Sequence, residues 1–247
     1  MRNLTRTLDA MKIMKRLLII FILTFPTLGL AQELDNSKKF TVGINTNINI
    51  GYRNLSTQDN YFDWIIDSRN EREVPGFGYS YGINSGLYLT KKLSIDVSFL
   101  FESKNYKTEP IDGLFSDGTE AILIFYYRHY YLSTPVKLNF TFLNKNKFSL
   151  YATGGGSVNL FAYRRNKSII KHTGKKNEVS KSGKAKDFNT YSISILAGLG
   201  INYDVSQLLR IKIEPILNYS NSSVMDAPIS ESLQNVGLNI GLGFKIK

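Results

Sequence analysis

The strongest constraint on this chain is an alternation of apolar and small polar residues that recurs in eight segments. In residues 41–53, Val42 and Ile44 begin a run of apolar side chains on one parity, and Gly43 and Asn45 begin a run of Gly and Asn on the other. A strand directs successive side chains to opposite faces, so each segment has one apolar and one small polar face. The other seven segments are residues 79–89, 93–102, 122–142, 148–163, 191–202, 209–218 and 236–246.

This pattern predicts an all-β fold, a transmembrane antiparallel up-and-down β-barrel of about eight strands. Segments of about ten residues suit strands that cross a bilayer at a tilt. Gly, Ser and Asn dominate the polar face, and such small residues suit the crowded interior of a narrow barrel. Aromatic residues at both ends of the apolar face predict two interfacial belts. The pattern does not decide between eight and ten strands.

The connections between the segments alternate in length. An even-stranded barrel has this arrangement when short turns face the periplasm and long connections face outward, which places both termini in the periplasm. The short connections are 90–92, 143–147 and 204–207, and the long polar ones are 54–75, 105–120, 164–187 and 221–234.

Residues 1–31 have the layout of a cleaved secretory signal peptide. A basic segment ending at Arg16 precedes an apolar run at 17–28, and Gly29-Leu30-Ala31 supplies a small-x-small cleavage pattern. The apolar run is too short to span a bilayer core of roughly 30 Å. We therefore expect export and a mature barrel domain at residues 32–247. The true start is left open between Met1, Met11 and Met14.

Composition excludes several kinds of site. Removal of residues 1–31 lowers the formal charge from +11 to +7, and the chain contains no cysteine. Disulfides and thiolate metal sites are therefore impossible. No phosphate loop, carboxylate pair or metal-ligand cluster has informative spacing, so we expect no cofactor, no metal and, for an exported protein, no nucleic-acid partner.

The small polar face of the predicted strands also contains charged residues of both signs. Charges in a confined interior must be paired and hydrogen-bonded to offset their desolvation. We therefore predict a structural network inside the barrel, with a polar passage as the alternative. Its members are Asp96, Glu102, Lys104, Lys137, Arg210, Lys212 and Glu214.

The connection at 164–187 is strongly basic. It predicts either a solvated flexible loop or a site for lipid-A phosphates or acidic polysaccharide. Its cations are Arg164, Arg165, Lys167, Lys171, Lys175, Lys176, Lys181, Lys184 and Lys186. The first connection contains Trp64 and is unusually apolar, so we expect it to cover the barrel mouth or to meet a partner protein.

Catalytic signals are weak. His129 and Ser133 share the inward parity, and outer-membrane acyltransferases and lipases use such residues. Nothing else in the sequence supports a triad, and a buried histidine satisfied by a neighbour is commoner. We expect no enzyme.

Residues 128–140, with the sequence RHYYLSTPVKLNF, resemble the PorT-like outer-membrane β-barrel family of Bacteroidetes. The matching motif is aromatic-Leu-x-x-Pro-aliphatic-Lys, here Tyr131, Leu132, Pro135, Val136 and Lys137. The resemblance implies an outer-membrane barrel, and some relatives are tied to type IX secretion and gliding. The chain departs from the common pattern by ending on Lys247 rather than on an aromatic residue.

The leading functional hypothesis is a non-enzymatic barrel with a structural or interaction role. Its expected partners are outer-membrane lipid and either another envelope protein or lipopolysaccharide, with an accessory role in secretion as one possibility. The alternatives are a narrow channel for small solutes or ions and an enzyme that modifies lipid A.

Overall fold

In the part of the chain that the structure describes, ten antiparallel strands form one sheet, and eight of them close it into a barrel. The computed structural model describes residues 40–57, 59–115, 117–172, 175–183, 188–220, 222–224 and 227–246. The predicted signal peptide lies outside the described residues. The strands are β1 (Phe40–Thr57), β2 (Glu73–Tyr88), β3 (Leu93–Thr108), β4 (Ile111–Leu114), β5 (Glu120–Lys145), β6 (Phe148–His172), β7 (Lys175–Gly183), β8 (Tyr191–Asp204), β9 (Leu209–Ser220) and β10 (Ile229–Ile246).

The barrel order is β1-β2-β3-β5-β6-β8-β9-β10, and β10 pairs back onto β1 from Ile246 opposite Phe40 to Ile229 opposite Thr57. Strands β4 and β7 lie outside this ring. They pair only with the outer parts of β5 and β6. The choice between eight and ten strands is thus resolved: eight close the barrel and two extend its wall.

The two faces of the barrel follow the alternation in the sequence. Ile44, Ile48 and Ile50 are exposed on the outer face, whereas Asn45 and Asn49 are buried in the lumen. Both aromatic belts are present. In the belt near the short turns, Phe148 and Tyr203 pack with their ring centroids 4.7 Å apart. In the belt near the long connections, rings pack in a ladder across β2, β3, β5 and β6, namely Tyr81, Phe101, Tyr130 and Tyr163.

The longest strands reach far beyond one membrane crossing. β5 has 26 residues and β6 has 25, whereas a tilted membrane strand needs about 9–11. The long connection predicted at 164–187 is largely strand, since 164–172 continue β6 and 175–183 form β7. Within 105–120, β3 continues to Thr108 and β4 follows. The described side chains of β7 are exposed on both faces, and most of those at 164–172 are partly exposed, so apolar alternation does not mark these parts as strands.

The first long connection contains a helix. Helix α1 (Asp63–Arg72) follows a single 3-10 turn at Asn60–Phe62, in a segment where the sequence predicted no helix. None of the residues of α1 is buried, so it lacks the periodic apolar stripe by which surface helices are recognised. Asp63 in the first turn and Arg72 in the last complement the helix dipole. The Trp64 ring is exposed in this helix.

The lumen narrows where β3 bends towards β1. The pairing of β2 with β3 shifts register between Pro75 and Tyr79, and the Asn105 Nδ2 atom donates to the Phe77 carbonyl at 2.5 Å. A Cβ atom on Gly51 would lie 2.7 Å from the Asn105 carbonyl oxygen. β2 separates β1 from β3 in the sheet, so glycine permits this close approach of two non-neighbouring strands.

We expect Gly51→Ala to lower the free energy of unfolding by about 1–3 kcal/mol, because the new methyl group overpacks against backbone. Urea unfolding in detergent micelles would measure the loss. Gly243→Ala is the matched control, since a Cβ there meets no atom within 4 Å. Equal stability of the two variants would contradict the close approach.

Candidate functional site: the filled lumen and the extracellular sheet

Two buried ion pairs cross the lower lumen, which is the half nearer the short turns. Lys137 on β5 pairs with Glu214 on β9, and Lys212 on β9 pairs with Asp96 on β3. The Tyr151 hydroxyl donates to Glu214 Oε2 at 2.7 Å. Glu214 is fully buried, so both contacts compensate a carboxylate that water cannot reach.

A second cluster lies at the short-turn end of the lumen. The Arg210 guanidinium holds Asp204 through two bonds, Nε to Oδ1 at 2.6 Å and Nη2 to Oδ2 at 3.0 Å. Lys245 Nζ lies 2.6 Å from Asp204 Oδ2, and Tyr88 contacts Arg210. This bidentate geometry fixes the orientation of both partners.

Glu102 organises the middle of the lumen. It accepts hydrogen bonds from Ser133 Oγ at 2.7 Å and from Asn235 Nδ2 at 3.1 Å. Lys104 Nζ lies 3.7 Å from Glu102 Oε2 and 5.5 Å from the centroid of the Tyr131 ring. Strands β3, β5 and β10 are thereby joined across the interior.

The upper lumen carries a cluster around Arg53. Its guanidinium pairs with Glu73 and, at 3.1 Å, with Glu231, and it lies 4.6 Å from the centroid of the Tyr106 ring. Glu73 lies beyond the membrane-spanning part of β2. Burial raises its pKa, the Arg53 guanidinium opposes this rise in part, and the negative charge of Glu231 adds to it.

An apolar plug fills the lumen at this level. Tyr106, Tyr131, Phe161, Phe188, Val224 and Leu233 pack into one buried cluster. The Phe161 and Phe188 rings stack at 4.8 Å, and the Arg164 guanidinium lies 5.3 Å from the Phe188 ring centroid. The segments before β8 and β10 therefore fold into the upper barrel.

Among the described residues, two cavities lie below this plug. The larger, of about 180 Å³, reaches the short-turn end at Lys91 and Asn146. The smaller, of about 50 Å³, lies mid-barrel, and its lining ends at Glu102 and Asn235. Neither cavity reaches the Arg53 cluster.

All seven charges predicted for the interior lie in the lumen, and each takes part in an ion pair. The structure adds partners that the sequence analysis did not select. Arg53 and Glu231 continue the inward parity of their strands, so extending the alternation would have found them. Tyr151 carries no charge, and only the fold reveals its contact with Glu214.

The cations predicted at 164–187 lie in different environments in the structure. Arg164 points into the upper lumen, whereas Arg165, Lys171 and Lys181 are exposed on a four-stranded sheet. Lys167 pairs with Glu178 at 2.7 Å. Lys184 and Lys186, and the side chains of Lys175 and Lys176, lie outside the described residues. We name this part the extracellular sheet, after the orientation proposed below: β4, residues 120–128 of β5, residues 164–172 of β6, and β7.

His129 and Ser133 do not form a catalytic pair. Ser133 donates to Glu102, and His129 Nε2 lies 4.0 Å from Glu231 Oε1. The His129 ring is fully buried and stacks on Tyr106 at 5.7 Å. Among the residues that the structure describes, no group of three His, Asp or Glu side chains could hold a metal ion.

Comparison with protein families decides the class. The family described as "Outer membrane protein beta-barrel domain" matches residues 30–221. The chain belongs to this outer-membrane β-barrel family. The comparison with curated proteins gives no match.

Several solved outer-membrane proteins are similar to this barrel. Neisserial surface protein A shares 14% identity at a TM-score of 0.45, covering 84% of this chain and 97% of that one. OprG from Pseudomonas aeruginosa shares 10% identity at a TM-score of 0.44, covering 87% and 99%. Ail of Yersinia pestis shares 14% identity at a TM-score of 0.36, covering 83% and 99%. These similarities carry no conclusion about function.

Membership in the family places this barrel in the outer membrane. The apolar outer face then meets lipid, and the two belts match the positions that Tyr and Phe take at bilayer interfaces. None of the described helices is long and apolar enough to cross a membrane.

We expect Lys137→Met to lower the free energy of unfolding of this barrel by about 3–5 kcal/mol, since it leaves the buried Glu214 carboxylate without its cation. Urea unfolding in micelles measures the effect. Lys147→Met in an exposed turn is the control. The double variant Lys137→Met/Glu214→Gln should recover part of the loss, and a single variant as stable as wild type would rule out a structural role for the pair.

Proposed function

We propose that this outer-membrane barrel is a non-enzymatic anchor whose extracellular sheet contacts acidic polysaccharide at the cell surface. In this proposal residues 1–31 are removed as a signal peptide, residues 32–247 form the mature domain, and both termini lie in the periplasm. The observation that carries the proposal is the extension of β5 and β6, because it raises a rigid, basic sheet above a lumen that is already filled.

The contents of the lumen support a structural rather than a conducting role. The buried ion pairs, the Arg53 cluster and the apolar plug follow one another along the bore. A passage for solutes would require these contacts to break together. The geometry therefore gives little support to a narrow channel. His129 and Ser133 give no support to the alternative of an enzyme that modifies lipid A.

The extracellular sheet suits a polyanion. Arg165, Lys171 and Lys181 are exposed on it, and Glu178 is engaged by Lys167. Several separated cations on a rigid surface attract an extended acidic chain through many weak contacts. A second envelope protein is the competing partner, to which the exposed Trp64 of α1 would contribute.

An accessory role in a type IX-like secretion complex is the narrower form of the proposal. It rests on the resemblance of residues 128–140 to the PorT-like family. In this barrel Lys137 of that motif pairs with Glu214 in the lumen, and Tyr131 belongs to the plug. Leu132 and Val136 of the motif are exposed on the lipid-facing side of the barrel. Any secretion partner would therefore meet the loops or turns instead.

The outer part of β6 and β7 form a hairpin. We expect removal of this hairpin to abolish binding of acidic polysaccharide without unfolding the barrel. Residues 166–181 would be replaced by Asn-Gly, because Arg165 and Ser182 are paired and a two-residue turn can join them. Binding of dextran sulfate to the protein in micelles would be measured, and folding would be checked by heat-modifiable gel migration.

The matched control keeps the hairpin and replaces Lys171 and Lys181 with Gln. It should show intermediate binding, since part of the positive charge remains. Undiminished binding by the truncated barrel would overturn the proposal, and an unchanged set of secreted proteins on deletion of the gene would remove the secretion role.

A further inference from the structure

Two arginines face each other on the outer wall of the barrel, immediately above the aromatic belt. Arg128 on β5 and Arg165 on β6 are directly opposite partners in the sheet. Each lies two residues beyond the stacked pair Tyr130 and Tyr163, whose ring centroids are 4.4 Å apart. Residues two apart in a strand share a face, so both guanidinium groups lie on the outer side with these rings.

The neighbouring positions add positive charge rather than counter-ions. Two residues further along the same face, Tyr126 of β5 is paired with Lys107 of β3 on one side and with Lys167 of β6 on the other. Lys167 is engaged by Glu178, and the Arg165 Nε atom donates to Ser180 Oγ at 3.0 Å. Within the described ranges, neither Arg128 nor Lys107 forms an ion pair.

Like charges placed directly opposite each other in an antiparallel pair destabilise it. The arrangement becomes favourable when an anion lies between the two guanidinium groups. Phosphate fits best, because its oxygens match the planar fork of donors in arginine.

The height of the pair above the belt indicates the source of the phosphate. Aromatic belts mark the membrane–water interface, and the polar headgroup layer beyond the hydrocarbon core is roughly 5–7 Å thick on each side. Two further residues along a strand add roughly 7 Å. The guanidinium groups therefore lie where headgroup phosphates of the outer leaflet are found.

We propose that Arg128 and Arg165, assisted by Lys107, bind the phosphate of an outer-leaflet lipid. The acyl chains of that lipid pack along the ladder of Tyr81, Phe101, Tyr130 and Tyr163. The site rests on the proposed orientation, with the extracellular sheet outside the cell, but it does not require the sheet to bind polysaccharide.

The test uses the refolded mature barrel in micelles, with diphosphoryl lipid A as the probe. Native mass spectrometry measures bound lipid, and thermal unfolding measures the stabilisation that it confers. We expect Arg128→Gln/Arg165→Gln to lower lipid-A binding by about tenfold or more, as for the loss of hydrogen bonds to a charged group. Lys171→Gln/Lys181→Gln, which removes the same charge from the same sheet, should leave binding unchanged.

Several results would overturn the site. Equal losses in both double variants would indicate diffuse attraction. Complete displacement of lipid A by millimolar inorganic phosphate would assign the pair to the free ion. A lower unfolding midpoint of the arginine variant without lipid would make the pair structural, because removal of repulsion predicts an equal or higher midpoint.

The truncated barrel lacking residues 166–181 separates this inference from the proposed function. It retains Arg128, Arg165 and Lys107, so it should still bind lipid A even if it no longer binds dextran sulfate. Loss of polysaccharide binding with retained lipid binding supports both proposals. The truncated barrel could instead still bind dextran sulfate while the Arg128→Gln/Arg165→Gln variant loses lipid A. That result would overturn the proposed polysaccharide function and leave the lipid site supported.

Discussion

Backbone hydrogen bonding in hydrocarbon is the constraint on which the rest of this structure depends. Lipid offers no partner for an unpaired N–H or C=O group, so a sheet can cross the bilayer only when it has no open edge. The long pairing of β1 with β10, from Phe40 opposite Ile246 to Thr57 opposite Ile229, closes the ring. The outer edges of β4 and β7 belong to the extracellular sheet, where water can hydrogen-bond to them.

Closure of only eight strands explains the character of the lumen. A bore of this width is just filled by side chains, so Gly, Ser and Asn line most of it, and larger groups occur where contacts cross it. Glu214 and Asp96 are buried carboxylates that are tolerable only because Lys137 and Lys212 face them. Near Gly51 even a methyl group would meet backbone. Function is therefore expected on the surfaces rather than through the centre.

The membrane-crossing part could be predicted from sequence because each strand meets lipid on one side and a packed polar interior on the other. That asymmetry appears as alternation, and the same parity selects Asp96, Lys137 and Glu214 as interior residues. The parts of the barrel outside the membrane lack this alternation. The described side chains of β7 are exposed on both faces, those at 164–172 of β6 are mostly partly exposed, and α1 buries none of its residues, so none of these elements leaves a periodic signal.

The ion-pair partners across the lumen could not be predicted from the sequence either. Whether Lys137 meets Glu214 or Asp96 depends on barrel register, which alternation fixes only to within two residues. The facing of Arg128 and Arg165 depends likewise on the register of β5 against β6, which shifts between Tyr130 and Tyr131.

In the membrane-crossing part of β1, even-numbered residues face lipid and odd-numbered ones face a packed lumen. The chain has no cysteine, so single cysteines at residues 42–51 can carry a spin label without background. Accessibility to oxygen, measured by electron paramagnetic resonance in bilayers, should alternate with a period of two, high at Ile48→Cys and low at Asn49→Cys. A flat profile, or one with the opposite phase, would contradict this orientation of β1 and with it the barrel in lipid.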